Sequence, residues 1–327
     1  MDLFPSSRFR QIQFLFVLSI IIGFAFYFLS GNRYRESCLY VCALEPNTTS
    51  RTIFSVPSLH KPIEFEVDFF GLRYRGRSGN ILDDEILFLG ASEKEVLFFL
   101  RDTASVLREA NMGEQISFID IGANVGQHTL FMSLHTDIVH AFEPFPPVIE
   151  RLEQLLTING IKNVEVHKVG LGKTEETIPF HPPRKDNLGG GSFDPSSSAA
   201  VWPNELPIVI GDKWFKEHEI KNPLLFKIDV EGFEKKVLAG LRETLETNRP
   251  VIVTELNIET EISYTDEDDF VATFPSEYFF LRFSRESNGL TGEYILEPFS
   301  FTKASSNFNI VAIPQELQSL IPHRLSN

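Results

Sequence analysis

Four acidic residues stand at or just past the ends of apolar runs, where extended strands would present them to a ligand. Asp120 lies in FIDIGANVGQHTLF, Glu143 closes the run HAFE, and Asp229 and Glu231 follow LLFKI in LLFKIDVEGFE. The turn after the first run is G-A-N-V-G, from Gly122 to Gly126, with Asn124 at its centre. Glycines at this spacing permit a sharp turn and a close helix start, so backbone N–H groups can face a ligand that a Cβ would displace. The pattern is neither the dinucleotide G-x-G-x-x-G nor a phosphate-binding loop, which would end in Gly-Lys-Ser/Thr. A nucleotide-like ligand without a pyrophosphate is therefore favoured. Glu143 follows the glycine turn by roughly twenty residues, the place for an acid that accepts hydrogen bonds from two vicinal ribose hydroxyls. Each residue also has a plainer reading. Asp120 could fix the turn backbone, Glu143 could be an exposed strand-end charge, and Asp229 could cap the following helix. Their joint occurrence at separate strand ends favours one shared site.

These residues meet only if the runs that carry them lie side by side. Strand-length apolar runs occur at 116–121, 138–142, 164–169, 224–228 and 251–254, and most intervals hold helix-like stretches such as PPVIERLEQLLTING and GFEKKVLAGLRETLETN. Buried strands alternating with crossover helices imply a mostly parallel sheet with helices on both faces. Near the end, EYFFLRF and FNIVAI read as two strands without a helix between them, expected to pair antiparallel at an edge. Upstream, 65–90 reads as short β-like runs with Gly turns, a small hairpin layer. In SEKEVLFFLRDTASVLREANM, Ser92 and Glu95 form a capping box at the start of a helix. The interval 177–207, with NLGGGSFDPSSS, reads as a long loop over one rim.

The chain has 327 residues and a formal charge of −15. So acidic a chain lacks the clustered Lys and Arg that phosphate contacts need, and nucleic acid is not expected as a partner. The two cysteines, Cys38 and Cys42, lie upstream of the folded region, which excludes a disulfide framework or a Cys-based zinc site in the core. The 31 phenylalanines supply apolar burial instead. From Phe14 to Leu29 the sequence FLFVLSIIIGFAFYFL carries no charge and is flanked by Arg8, Arg10, Arg33 and Arg35. Extended to 12–31, it approaches the roughly 30 Å of a bilayer core and reads as an uncleaved transmembrane anchor. The competing reading is a cleaved signal peptide, against which stand the run's length and the lack of an A-x-A pattern. A short N-terminal tail of residues 1–11 on the cytosolic side would make the chain a single-pass membrane protein with its large domain lumenal or extracytoplasmic. Residues 32–62 read as a stem in which Asn47-Thr48-Thr49 fits an N-glycosylation acceptor.

The motifs FIDIGANVGQHTLF, HAFEPFPPVIERLEQLLTING and LFKIDVEGFEKKVLAGL, in this order and with a weaker echo in LPIVIGDKWF, resemble the FkbM-type S-adenosylmethionine-dependent methyltransferases over 65–314. The resemblance implies an α/β fold with a Rossmann-like, seven-stranded class I methyltransferase sheet, here preceded by the N-terminal transmembrane helix. The methyltransferase domain would span 116–314, with a hairpin and helix extension at 63–115 and a C-terminal tail at 315–327. It also implies methyl transfer to a hydroxyl oxygen of a small-molecule or glycan acceptor, with S-adenosylmethionine as cofactor. By position, Asp120, Gly122, Asn124 and Gly126 would line the methionine end of the cofactor and Glu143 would hold its ribose. Asp229 and Glu231 would lie by the methyl group or the acceptor. The sequence VGLGKTEE lacks an acid for the adenine, and the Gly/Ser loop is where acceptor specificity is expected.

Displacement at a sulfonium methyl requires alignment and exclusion of water, and an aliphatic hydroxyl must lose its proton during attack. Asp229 or Glu231 is the first choice to take that proton, and His128 is the second. A divalent metal on Asp229 and Glu255 would be another way to lower the hydroxyl pKa, but no ligand spacing supports it and no metal is expected. The competing function class is a membrane-tethered binding or trafficking protein that keeps this fold without the chemistry.

Overall fold

The computed structural model describes residues 62–111, 113–182, 191, 193, 201–257, 263–301 and 308–322. The expected anchor at 12–31, the stem with Asn47, and much of the Gly/Ser loop lie outside the described residues. Among the described residues, no helix is long and apolar enough to cross a membrane.

The strands are β1 (Glu64–Phe69), β2 (Leu72–Arg77), β3 (Ser117–Ile121), β4 (Ile138–Phe142), β5 (Val164–His167), β6 (Gly170–Gly172), β7 (Glu176–Ile178), β8 (Leu206–Ile210), β9 (Pro223–Ile228), β10 (Val251–Leu256), β11 (Tyr278–Phe283), β12 (Leu296–Pro298) and β13 (Phe308–Pro314). Eight of them form the main sheet, in the order β12-β11-β13-β10-β9-β3-β4-β5. β5, β4, β3, β9 and β10 run parallel, and β13 is antiparallel to both β10 and β11. The expected seven strands are thus one short of the observed sheet: the three-residue β12 pairs antiparallel with β11 and adds an eighth at the edge.

Successive residues of a strand point to opposite faces, and here both faces are covered, which is why the runs are almost continuously apolar. Phe118, Leu225, Val251, Val253 and Val311 face one core with the helix α2 (Lys94–Ala110) and the β1–β2 hairpin. Ile119, Ile121, Phe226, Ile228 and Ile252 face the other, against Phe215 of α5 (Gly211–Glu217) and Val237 and Leu238 of α6 (Glu234–Gly240). Each such side chain, fully removed from water, stabilises the fold by about 2 kcal/mol. The helix α4 (Pro146–Asn159) starts with proline in its first turn and stops at Gly160 with φ of 62°, as its sequence implies.

Two local expectations fail for physical reasons. NILDDEILFLG is not a β-like run but α1 (Ile81–Leu89): Asn80 caps it by accepting from the Asp83 N–H, Asp83 and Asp84 favour its first turn, and Gly90 ends it in the left-handed region. The Ser92/Glu95 capping box does not form either. Glu93 precedes α2 with φ of 46°, and Ser92 is held by Gln127, which accepts from its N–H at 2.7 Å and donates to its carbonyl at 3.1 Å. The interval read as one long loop starts in the last residues of β7 and ends in the first of β8, which pair with each other and, through β8, with the preceding β6 in a small three-stranded sheet.

Asp83 locks the hairpin to the body. It accepts from the Tyr74 hydroxyl at 2.7 Å, the Arg77 N–H at 3.1 Å and the Arg151 guanidinium at 2.8 Å, and it is buried. Asp83→Ala would leave Arg151 partly buried without its counter-charge, and a loss of about 2–3 kcal/mol is expected in urea unfolding, at the low end for a broken buried pair because Arg151 keeps some solvent.

Candidate functional site

The chain runs outward from β3 through β4 to β5, then crosses back to lay β9 on the other side of β3. The strand order therefore reverses between β3 and β9, and the crevice beyond their carboxyl ends is where open parallel sheets bind ligands. Asp120 pairs in register with Lys227, and Glu255 with Asn309, on the face covered by α2 and by α3 (Gln127–Ser133). The ladder continues past β9 to Asp229, whose N–H donates to the Ile121 carbonyl at 2.9 Å.

The glycine turn serves the protein more than an incoming ligand. Gly122 and Gly126 have φ of 84° and 91°, so both need glycine for the turn itself. A Cβ on Gly122 would lie 1.8 Å from the Asp229 carbonyl oxygen, and one on Gly126 would lie 2.3 Å from Leu152 Cδ1. Nor do the N–H groups of the turn point outward as expected. Gly122 and Ala123 donate to the Phe142 carbonyl, Asn124 to Glu143, Val125 to the Asn124 side chain and Gly126 to the Ala123 carbonyl. Gly122→Ala is expected to cost at least about 2 kcal/mol, read as a lowered Tm, because it combines a left-handed backbone with a clash on the strand end that carries Asp229.

Glu143 is fixed from both sides: Oε2 accepts from the Asn124 N–H at 3.0 Å and Oε1 from the Phe145 N–H at 2.8 Å. Each oxygen keeps a further lone pair, so a carboxylate held in this plane fits the two hydroxyls of a ribose. Burial pushes its pKa up to about 7 against these two hydrogen bonds. Asp120 does not tie the turn. Its Oδ2 accepts from the Thr129 hydroxyl at 2.5 Å, and burial raises its pKa to about 6.

Around Asp229 the structure assembles a cluster of polar side chains. Lys227 is only 1% exposed and donates to Asp229 Oδ2 at 2.9 Å. Burial opposes its charge, yet Asp229, Glu93 and Glu255 keep it protonated. Burial likewise works against the Asp229 carboxylate, and the Lys227 ammonium holds it below the ordinary value. Asp229 does not cap α6; Glu234 closes that loop by accepting from the Val230 and Gly232 N–H groups. Glu231 and Glu255 share one donor, the Asn257 amide, at 3.3 and 3.2 Å. Burial and then Asp229 and Glu231 push Glu255 up to about 9. Just ahead of α2, Glu93 accepts from Asn309 at 2.7 Å. His128 reaches the same region; its Nε2 is buried without a partner, and burial lowers its pKa to about 3, so it is a neutral, weak base.

The structure therefore brings Asp120, His128, Asp229, Glu231 and Glu255 to one rim, with Glu143 across the glycine turn. Sequence reading passes over Lys227, Glu93, Thr129, Asn257 and Asn309. Only Lys227 left a trace, a lone charge inside LLFKI, a strand apolar on both sides. Glu93 and Asn309 are 216 positions apart, and no local pattern could join them.

The sequence model of the methyltransferase FkbM domain matches residues 120–286. A hexuronic acid methyltransferase, AglP, of Haloferax volcanii is 28% identical over 168 residues, 46% of this chain and 67% of the relative. Methyltransferase 1 of Beauveria bassiana is 25% identical over 142 residues, 38% of this chain and 57% of the relative. The solved structure of methyltransferase FkbM from Methylobacillus flagellatus KT aligns at 16% identity and a TM-score of 0.39, over 61% of this chain and 43% of that one, too loosely to carry weight. With more than half of its length matched by the family's domain, and with the sheet order and strand-end acids described above, the chain belongs to the FkbM family of S-adenosylmethionine-dependent methyltransferases.

Proposed function

We propose that this protein transfers the methyl group of S-adenosylmethionine to a hydroxyl oxygen of a sugar-containing acceptor, from a domain tethered to a membrane by residues 12–31 and facing the lumen or exterior. The observation that carries the reading is the convergence of Glu143 and the Lys227–Asp229 pair on the crevice where the strand order reverses. Glu143 would hold the ribose, which directs the sulfonium end towards the strand ends that carry Asp120 and Asp229. In the transfer, the acceptor oxygen forms a bond to the methyl carbon as the carbon–sulfur bond breaks, the electron pair stays on sulfur, and the hydroxyl proton passes to a rim carboxylate. Asp229 is the first candidate, because Lys227 keeps it ionised and oriented. The name of the hexuronic acid methyltransferase relative supports a uronic acid-bearing glycan as the first acceptor to try.

The test is a titration of S-adenosylmethionine into the full chain in detergent, followed by methyl-labelled transfer to uronic acid-containing oligosaccharides. Label that survives mild alkali is an ether on a hydroxyl, as expected; label released by alkali is a carboxyl ester and overturns the hydroxyl assignment. Asp229→Asn should keep cofactor binding and lose turnover, and undiminished turnover would remove Asp229 as the base. A folded chain that binds no S-adenosylmethionine would be a tethered binding module instead.

A further inference from the structure

One carboxylate oxygen each from Asp229, Glu231 and Glu255 lies within 4.8 Å of the others. Oxygens that share a hard divalent ion at 2.0–2.1 Å stand roughly 3 to 4 Å apart, so the three need only a small inward adjustment. Four carboxylates, those of Glu93, Asp229, Glu231 and Glu255, gather in this cluster, and Lys227 is the cation that Glu93, Asp229 and Glu255 share. A cluster of acids is not a site by itself, but two other side chains point to a ligand here. Asn309 is 8% exposed and sits in register with Glu255; its Nδ2 is committed to Glu93, which fixes its orientation, and its Oδ1 is buried without a partner. His128 Nε2, on a ring that feels the charges of Lys227 and Asp229, is also buried without a partner. Buried polar atoms are rarely left unpaired, and the water shell that a small divalent ion retains would supply partners for both.

We infer that Asp229, Glu231 and Glu255 form a binding site for one hard divalent cation of the Mg²⁺ or Mn²⁺ type at the rim of the sheet. The three ligands come from the ends of β9 and β10, all oxygens, the donor set these ions select. The second cluster with metal-like spacing, His140, Glu165 and His167, does not compete. His140 Nδ1 and His167 Nε2 are 3.1 Å apart, but Trp214 Nε1 donates to His167 Nδ1 at 3.2 Å, which puts the ring proton on Nε2 and covers the lone pair a metal would need. The cation's role, holding the acceptor hydroxyl and lowering its pKa, rests on the methyl-transfer reading; its binding does not.

The experiment strips the full chain with EDTA and titrates Mn²⁺, reading free ion by its paramagnetic resonance signal. One Mn²⁺ per chain is expected, displaced by excess Mg²⁺, with affinity at least tenfold weaker in Asp229→Asn and in Glu255→Gln and unchanged in His140→Ala and in Glu176→Gln. Circular dichroism melts confirm that each variant is folded. Absence of stoichiometric binding by the folded wild type, or binding that persists in the Asp229→Asn/Glu255→Gln double variant, overturns the inference. S-adenosylmethionine titrated into the same stripped samples separates the two readings: cofactor binding without Mn²⁺ binding sinks the cation site alone, whereas absent cofactor binding sinks the methyl-transfer reading.

Discussion

Lys227→Met is expected to lower the unfolding free energy by about 3–5 kcal/mol and to abolish methyl transfer. Lys227 is almost wholly removed from water, and methionine of similar length would fill its space, so the loss is electrostatic rather than a cavity. The ammonium donates to Asp229 at 2.9 Å and is the counter-charge for Glu93 and Glu255 as well. Removing it strands Asp229 among like charges, and breaking a buried pair by deleting one partner is far costlier than replacing both. The sign of the pH dependence follows. In the wild type the lowered Asp229 pKa contributes stability that is present above the ordinary value of 3.8 and is lost as pH falls through the folded value. In the variant that contribution disappears, so the gap between the two unfolding curves should be widest at pH 7 to 8 and should narrow in acid. Lys227→Met/Asp229→Asn should recover part of the loss, with a coupling of about 1–3 kcal/mol in urea unfolding. A double variant whose loss equals the sum of the Lys227→Met and Asp229→Asn losses would show that the pair does not couple.

Glu143→Gln should weaken S-adenosylmethionine binding at least about 100-fold. Two hydrogen bonds to a charged acceptor, at roughly 1.5–3 kcal/mol each, are replaced by one neutral acceptor and a misplaced donor. Wild-type affinity should also rise about tenfold between pH 6 and 8, because the ionised fraction of a carboxyl with a pKa of about 7 rises by that factor, whereas the variant should bind with no such slope. The free protein carries the opposite dependence. The folded chain retains the Glu143 proton between the ordinary 4.5 and about 7, where the unfolded chain has released it, so stability falls as pH rises through that window, by about 3 kcal/mol from this group. Glu143→Gln removes this slope. Isothermal titration and thermal melts over pH 5 to 8 check both arms; a wild-type affinity that is flat across that range would show that the Glu143 carboxylate does not hold the ribose.

The frame is legible in the chain alone: the parallel core, the crossover helices, the antiparallel β11 and β13, and the glycine turn after β3. Those features arise from periodicity and local stereochemistry, which neighbouring residues carry. The sequence also marked Asp120, Glu143 and Asp229, because a strand end is a local address and the sheet brings such addresses together. The contacts that those residues make depend on packing between distant elements. The N–H groups of the glycine turn go to Phe142 and Glu143 because β4 lies beside β3, and Gly122 is required because the end of β9 crosses it. Glu93 joins the polar cluster only because α2 packs over the sheet and Asn309 arrives on β13, far along the chain. A buried charge is set by every group around it. The Lys227–Asp229 pair, the raised Glu255 and the unpartnered Asn309 and His128 atoms therefore became legible only when strands and helices remote in sequence were placed side by side.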